Sequence, residues 1–298
     1  MPFNNRFFDD IFREVNAYVM RDFSNLQSQT NDEGKRKFCL FTFQSIFNII
    51  VDNLVNKEKY SGEICIPKTI ICGSFSINRS DIIQANKDYK KGKLLLTNEQ
   101  SLVYDIRYKR TDEQIEKINE LRKNNEKIRI TIFPLDGASS FFYNFADFSI
   151  AIVVEKAVNN EEQEQGFTVE SIFVNNPVSH NTYSFSKDGA TLNGTKITDD
   201  VAKEKVINAI YVNDCINKCH FDITKIASKV PFFATSTSIF LTICNIAVNR
   251  NFIAIYSNED EEKKKYVDFM IKNAYLASRK IGNHLILGKA ETLAKIVK

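Results

Sequence analysis

Apolar residues recur at three- and four-residue spacing from the start of the chain. Phe7, Phe8, Ile11, Phe12, Val15, Tyr18, Val19, Phe23 and Leu26 form one stripe, the period of an amphipathic helix. Residues 27–36 are polar and interrupt it; Phe43, Ile46, Ile49, Ile50 and Leu54 then predict a second helix over 41–54. Short apolar runs at 64–72, 93–97, 102–108 and 128–133 read as strands, with a charged, solvated helix at 112–123. Strands follow at 148–155, 168–174, 182–186 and 206–212, the first two separated by the polar loop 159–165. The remainder predicts a helix at 238–248, a strand at 252–256, a helix at 262–280 and a short strand at 284–287. No repeat is visible. Helices alternating with mixed strands indicate layered α/β (α+β) structure, and the strands are too irregularly spaced for a TIM barrel.

Composition narrows the function classes. The 298 residues carry 40 Lys+Arg against 37 Asp+Glu, a formal charge of +3, which leaves no footprint for non-specific nucleic-acid binding. With 43% hydrophobic and 26% charged residues the chain can build a core. Only 10 Gly and 5 Pro are present, and neither G-x-G-x-x-G nor G-x-x-x-x-G-K-[ST] occurs. The opening MPFNNRFFDD lacks the basic and apolar regions of a secretory signal, so the expected location is the cytoplasm, with reduced thiols. Cys215, Cys219 and His220 match no metal-ligand spacing and read as core packing. The apolar stretch 232–255 carries Thr, Ser, Asn and Arg250, which favours a buried helix and strand over a membrane span. Abundant Lys, Asn, Ile and Phe suggest an AT-rich genome, such as that of a reduced intracellular bacterium.

The most informative segment is 132–153, IFPLDGASSFFYNFADFSIAIV. A strand runs into a turn at Pro134-Leu135-Asp136-Gly137, which presents a carboxylate and the hydroxyls of Ser139 and Ser140 at the strand's carboxyl end. Such ends commonly hold binding sites in open α/β structure. An ordinary Asp-Gly turn would look the same in isolation.

This segment resembles the D-P-[IL]-D-G-[TS]-x-N-F motif of the inositol monophosphatase family. Two further elements are similar in order and spacing. FSKDGATLNGTKI (185–197) resembles A-x-x-G-x-G-A-x-x-N-G-x-x-[IV], with Gly189, Ala190, Asn193, Gly194 and Ile197 in place. TSIFLTICNIAVNR (237–250) resembles the helix G-S-A-A-L-x-L-x-x-V-A-x-G-R through Ser238, Leu241, Ile243, Ala247 and Arg250. The resemblance spans roughly 39–283. It implies a five-layer αβαβα sandwich of the inositol monophosphatase and sugar phosphatase type, one domain over 1–298 with subdomains of roughly 1–157 and 158–298. It also implies a Mg²⁺-dependent phosphomonoesterase, in which carboxylates hold the ions over a phosphate.

Carried over position by position, the resemblance implies metal ligands at Glu99, the Leu135 carbonyl and Asp136. Ser139 stands for the hydroxyl of the water-activating dyad, and Gly137, Ala138, Asn193 and Gly194 line the substrate side. The family's bridging Asp is replaced by Phe133, which offers no oxygen to a hard cation. In CLFTFQS (39–45), Thr42 persists while Cys39 and Ser45 replace two Asp residues. The last family ligand falls on Lys263 when counted without a gap from Arg250; Asp268 could serve only after an insertion. Three readings stay open. One is a hydrolase for an inositol phosphate or similar small phosphate, with Mg²⁺ at reduced occupancy. The second is a pseudoenzyme serving a protein or RNA partner. The third is a phosphatase of the 3′-phosphoadenosine type. A homodimer is the family expectation.

Overall fold

The computed structural model describes residues 5–28, 31–61, 68–74, 95–97, 101–105, 127–158, 166–198, 209–213, 230–249, 251–257, 261–281 and 284–296. The expected helix at 112–123, Glu99, Arg250 and the Cys215–Cys219–His220 cluster lie outside them. Two compact units emerge, Met1–Leu135 with Ile150–Phe173, and Asp136–Ser149 with Val174–Lys298.

The first unit opens with helix α1 (Asn5–Asn25). Its Phe8, Ile11, Phe12, Val15 and Val19 are buried, as the stripe predicts. A 3₁₀ turn over Leu26–Ser28 ends it. Helix α2 (Asp32–Ser61) begins inside the stretch that polarity alone reads as a break. The reason is a cap: the Asn31 side chain accepts from the Gly34 N–H at 2.7 Å, and Asp32 and Glu33 complement the helix dipole. The helices pack together through Phe43, Ile46, Phe47 and Ile50 of α2. Beside that apolar contact the Thr42 hydroxyl donates to Asp22 Oδ2 at 2.8 Å.

Strands β1 (Lys68–Ser74), β2 (Leu95–Thr97), β3 (Ser101–Asp105), β4 (Lys127–Asp136), β5 (Ser149–Val158) and β6 (Gly166–Asn176) lie in the order β2-β3-β1-β4-β5-β6. β1 runs parallel to β4 and antiparallel to β3. Residues Ile150 to Val154 are all buried, the signature of a central strand covered on both faces. One charge is buried there. Glu155, with no exposed surface, receives Arg129 Nε at 2.6 Å and a second guanidinium nitrogen at 2.8 Å. The Arg129 guanidinium also lies 4.3 Å from the Phe167 ring centroid, so fork and ring plane hold it from two sides.

In the second unit, β7 (Asn181–Ser186), β8 (Gly189–Leu192) and β9 (Thr195–Lys196) form consecutive hairpins. Asn193 (φ 49°) and Gly194 (φ 78°) make the two-residue turn, where left-handed backbone matches the strand twist. A five-stranded sheet has the order β11-β10-β12-β14-β13. Its strands are β10 (Ala209–Asn213), β11 (Phe232–Ser236), β12 (Phe252–Ser257), β13 (Ala277–Ile281) and β14 (His284–Gly288). Helix α4 (Ile239–Val248) packs on β12 and β14, α5 (Glu261–Asn273) on α4, and α6 (Ala290–Ile296) on the sheet. Both units thus combine helices with mixed sheet, as an α+β chain. No described helix is long and apolar enough to cross a membrane.

Helix α5 is shorter than its periodicity suggests. The Ala274 N–H bonds to the Met270 carbonyl and the Leu276 N–H to the Ile271 carbonyl, with Tyr275 at φ 55°. This is a left-handed helix stop with Tyr where Gly is usual, and it frees 277–281 to form β13. β11 and α6 likewise escape the pattern because they are short.

The Arg129–Glu155 pair generates a stability prediction. Arg129→Met should cost about 3–5 kcal/mol by removing the bidentate cation from a buried carboxylate. Arg129→Met combined with Glu155→Leu should recover most of that loss in urea unfolding.

Candidate functional site

Asp136 ends β4, and Gly137 turns the chain into the short helix α3 (Ala138–Phe142). Gly137 has φ 87°, and a Cβ there would meet the Asp147 carbonyl at 2.6 Å. Only glycine fits this turn. Phe141 anchors the segment edge-on against Phe148, with ring centroids 5.2 Å apart. The same turn is tied to the segment before α4. Thr237 Oγ1 donates to Ser140 Oγ at 2.7 Å and accepts from the Ser140 N–H at 3.3 Å.

Asp136 is 2% exposed, and its carboxylate is fully engaged by protein groups. The Ser238 hydroxyl donates to Oδ2 at 2.7 Å, and the Phe240 N–H donates to the same oxygen at 3.1 Å. Ser238 is the N-cap of α4, its Oγ accepting from the Leu241 N–H at 3.1 Å. Asp136 therefore sits in the anion seat that a helix N-terminus offers. On the other oxygen, Lys263 Nζ lies 2.9 Å from Oδ1, with the lysine side chain 14% exposed. Lys263 is in the first turn of α5, an unfavourable place for a cation, which the carboxylate offsets.

The two sequence positions considered for the last metal ligand, Lys263 and Asp268, lie differently on α5. Asp268 is exposed on α5, and the contact with Asp136 is made by Lys263 instead. The position reached by the gapless count carries an ammonium, and it lies against Asp136. A second correction concerns the hydroxyl of the dyad. The residue directly after Gly137 is Ala138, half-buried and without a hydroxyl; Ser139 stands one place further on and is exposed.

The remaining sequence candidates divide. Phe133 and Leu135 are buried on β4, at 2% and 6% exposure. Cys39 is buried on α2, and burial pushes its thiol up to about 12, so it offers no thiolate. The Asn193 side chain is committed to β7, accepting from the Thr182 N–H at 2.8 Å and donating to Asn181 Oδ1 at 3.0 Å. Asn193 and Gly194 thus shape a turn. Glu99 lies outside the described residues.

Among the described residues, the donor set around Asp136 does not fit Mg²⁺. That ion needs several oxygen ligands at short, near-octahedral distances, whereas an ammonium and two hydrogen-bond donors already take the Asp136 oxygens. Phe133, at the position that the resemblance assigns to the bridging carboxylate, is buried and offers no oxygen from its side chain. Among the described residues, no group of three or more His, Cys, Asp or Glu could hold a metal ion.

Next to the turn lies a cleft of about 540 Å³, lined by Ser139, Ser140, Tyr143, Phe145, Asp147, Thr235 and Thr237. Sequence reasoning missed Asp147. Its only signal was a carboxylate inside the aromatic run Phe145-Ala146-Asp147-Phe148. Asp147 Oδ2 accepts from the Thr237 N–H at 2.8 Å and Oδ1 from the Ser236 hydroxyl at 3.1 Å. Burial raises the Asp147 carboxyl above the usual range, against the pull of those donors.

Removing the ammonium should expose its structural weight. Lys263→Met leaves Asp136 buried and uncompensated, and should cost about 3–5 kcal/mol in denaturant unfolding. Lys263→Arg should cost far less.

No family model and no curated protein matches this sequence. Solved structures do. The chain is similar to the extragenic suppressor protein suhB of Bartonella henselae, with TM-score 0.57, 11% identity, and 95% of this chain and 92% of that one covered. Inositol monophosphatase II of Staphylococcus aureus gives TM-score 0.56 at 12% identity, covering 98% and 92%. The Thermotoga maritima inositol monophosphatase gives TM-score 0.57 at 14% identity, covering 98% and 94%. Across nearly its whole length, this chain has the inositol monophosphatase fold.

Proposed function

We propose that the chain is a pseudo-phosphatase: a protein of inositol monophosphatase fold that binds in its cleft and does not carry out Mg²⁺-dependent hydrolysis. The observation that carries this reading is the Lys263 ammonium on Asp136 Oδ1 at 2.9 Å. A divalent ion would have to displace a partly buried cation from the one carboxylate that the described turn retains. Two losses support the same reading. Phe133 removes the bridging carboxylate, and Ala138 removes the hydroxyl that would orient water.

The chemistry of the exchange is informative. A metal polarises phosphate oxygens and lowers the pKa of bound water. An ammonium neutralises a carboxylate but has no open coordination position, so it cannot generate hydroxide at neutral pH. Structures of the staphylococcal protein, similar to this chain at TM-scores of 0.52 and 0.50, hold 2′AMP and inositol monophosphate. Those ligands define the substrates to test. The alternatives of a low-turnover inositol phosphatase or a nucleotide phosphatase both require a metal at Asp136.

The wild-type chain should release no phosphate from inositol monophosphate or 2′AMP at millimolar Mg²⁺, and calorimetry should show no Mg²⁺ binding. The variant Phe133→Asp, Ala138→Thr, Lys263→Asp should gain Mg²⁺ binding. Mg²⁺-dependent turnover by the wild-type chain, abolished by Asp136→Asn, would overturn the reading.

A further inference from the structure

The cleft beside α3 carries one charged side chain, and that charge is negative. Among the described lining residues there is no Lys, Arg or His. The nearby Asp136 carboxylate is paired with Lys263, whereas among the described residues Asp147 is held by hydrogen-bond donors and no cation. Its oxygens are held in place by Ser236 and Thr237. With the Ser238 backbone as a third donor, these groups orient a carboxylate that has room for about four hydrogen bonds. Burial raises its pKa, and the nearby Asp136 carboxylate adds to the rise.

Aromatic rings also line the cleft. Tyr143 and Phe145 are 66% and 64% exposed, the two most exposed large hydrophobic residues described. Ring faces attract cations, most strongly where water is partly excluded. Ser139 and Thr235, both exposed at the cleft, add hydroxyl oxygens that accept N–H bonds. A phosphate dianion would meet like charge here with no metal to offset it. The volume of about 540 Å³ is that of a small-ligand site.

We propose that this cleft binds an organic ammonium group, seated between the Asp147 carboxylate and the rings of Tyr143 and Phe145. The proposal deepens the binding reading above by naming the ligand class, and the two can fail separately, since one is read by hydrolysis and the other by amine binding. A free alkylamine and a lysine side chain present the same group.

The test is titration of the full chain with n-butylammonium, with an end-capped peptide whose one charge is a lysine, and with inorganic phosphate, followed by calorimetry and NMR shift mapping. Saturable binding of either ammonium probe at tens of millimolar or below is expected, and the tighter probe identifies the source. Asp147→Asn should weaken it by about tenfold or more, and Tyr143→Ala by about two- to tenfold. Tyr143 is exposed, so this second variant keeps the test valid if Asp147→Asn fails to fold. Absence of ammonium binding, binding unchanged in both variants, or phosphate bound in preference to both ammonium probes would overturn the proposal.

Discussion

The ion pair between Lys263 and Asp136 is the contact on which the site's architecture rests. It joins the end of β4 to the first turn of α5, while Ser238 and Phe240 bring the start of α4 to the same carboxylate. Three elements distant in sequence are thereby fixed on one buried side chain. The turn at Gly137, with no space for a Cβ, sets the direction in which that carboxylate leaves the strand. Asp147, Ser236 and Thr237 then form a second polar layer beside it.

The difference between a metal and an ammonium at such a centre is one of valence and geometry. Mg²⁺ gathers several oxygens and retains exchangeable waters. Lysine brings one charge on a tethered stem, with directional N–H bonds. The first arrangement needs many carboxylates and keeps reagents close to the substrate. The second needs one carboxylate and holds it as a structural group. Phe133 and Ala138 are compatible with the second arrangement and poorly matched to the first.

Much of the fold was legible because it follows from periodicity. The α1 stripe and the apolar run of β5 are driven by burial, and burial leaves a trace in composition. Features set by single backbone conformations were harder to read. The start of α2 depends on the Asn31 cap, and the end of α5 on a left-handed tyrosine; neither perturbs hydrophobic spacing. At the site, Asp136 and Gly137 were readable from their turn, and Lys263 from simple counting. Asp147 was not, because its partners Ser236 and Thr237 are some ninety residues away. Asp268 looked suitable by charge alone, and only the face of the helix shows that it points elsewhere.

The saturation of Asp136 has an evolutionary corollary. Exchanging Lys263 for an acid places two like charges in a space with little water, and exchanging Asp136 first strands a buried ammonium. Each single step from this arrangement toward a metal-binding one passes through a less stable protein. The two residues can be exchanged without loss of stability only together, so each constrains what can replace the other.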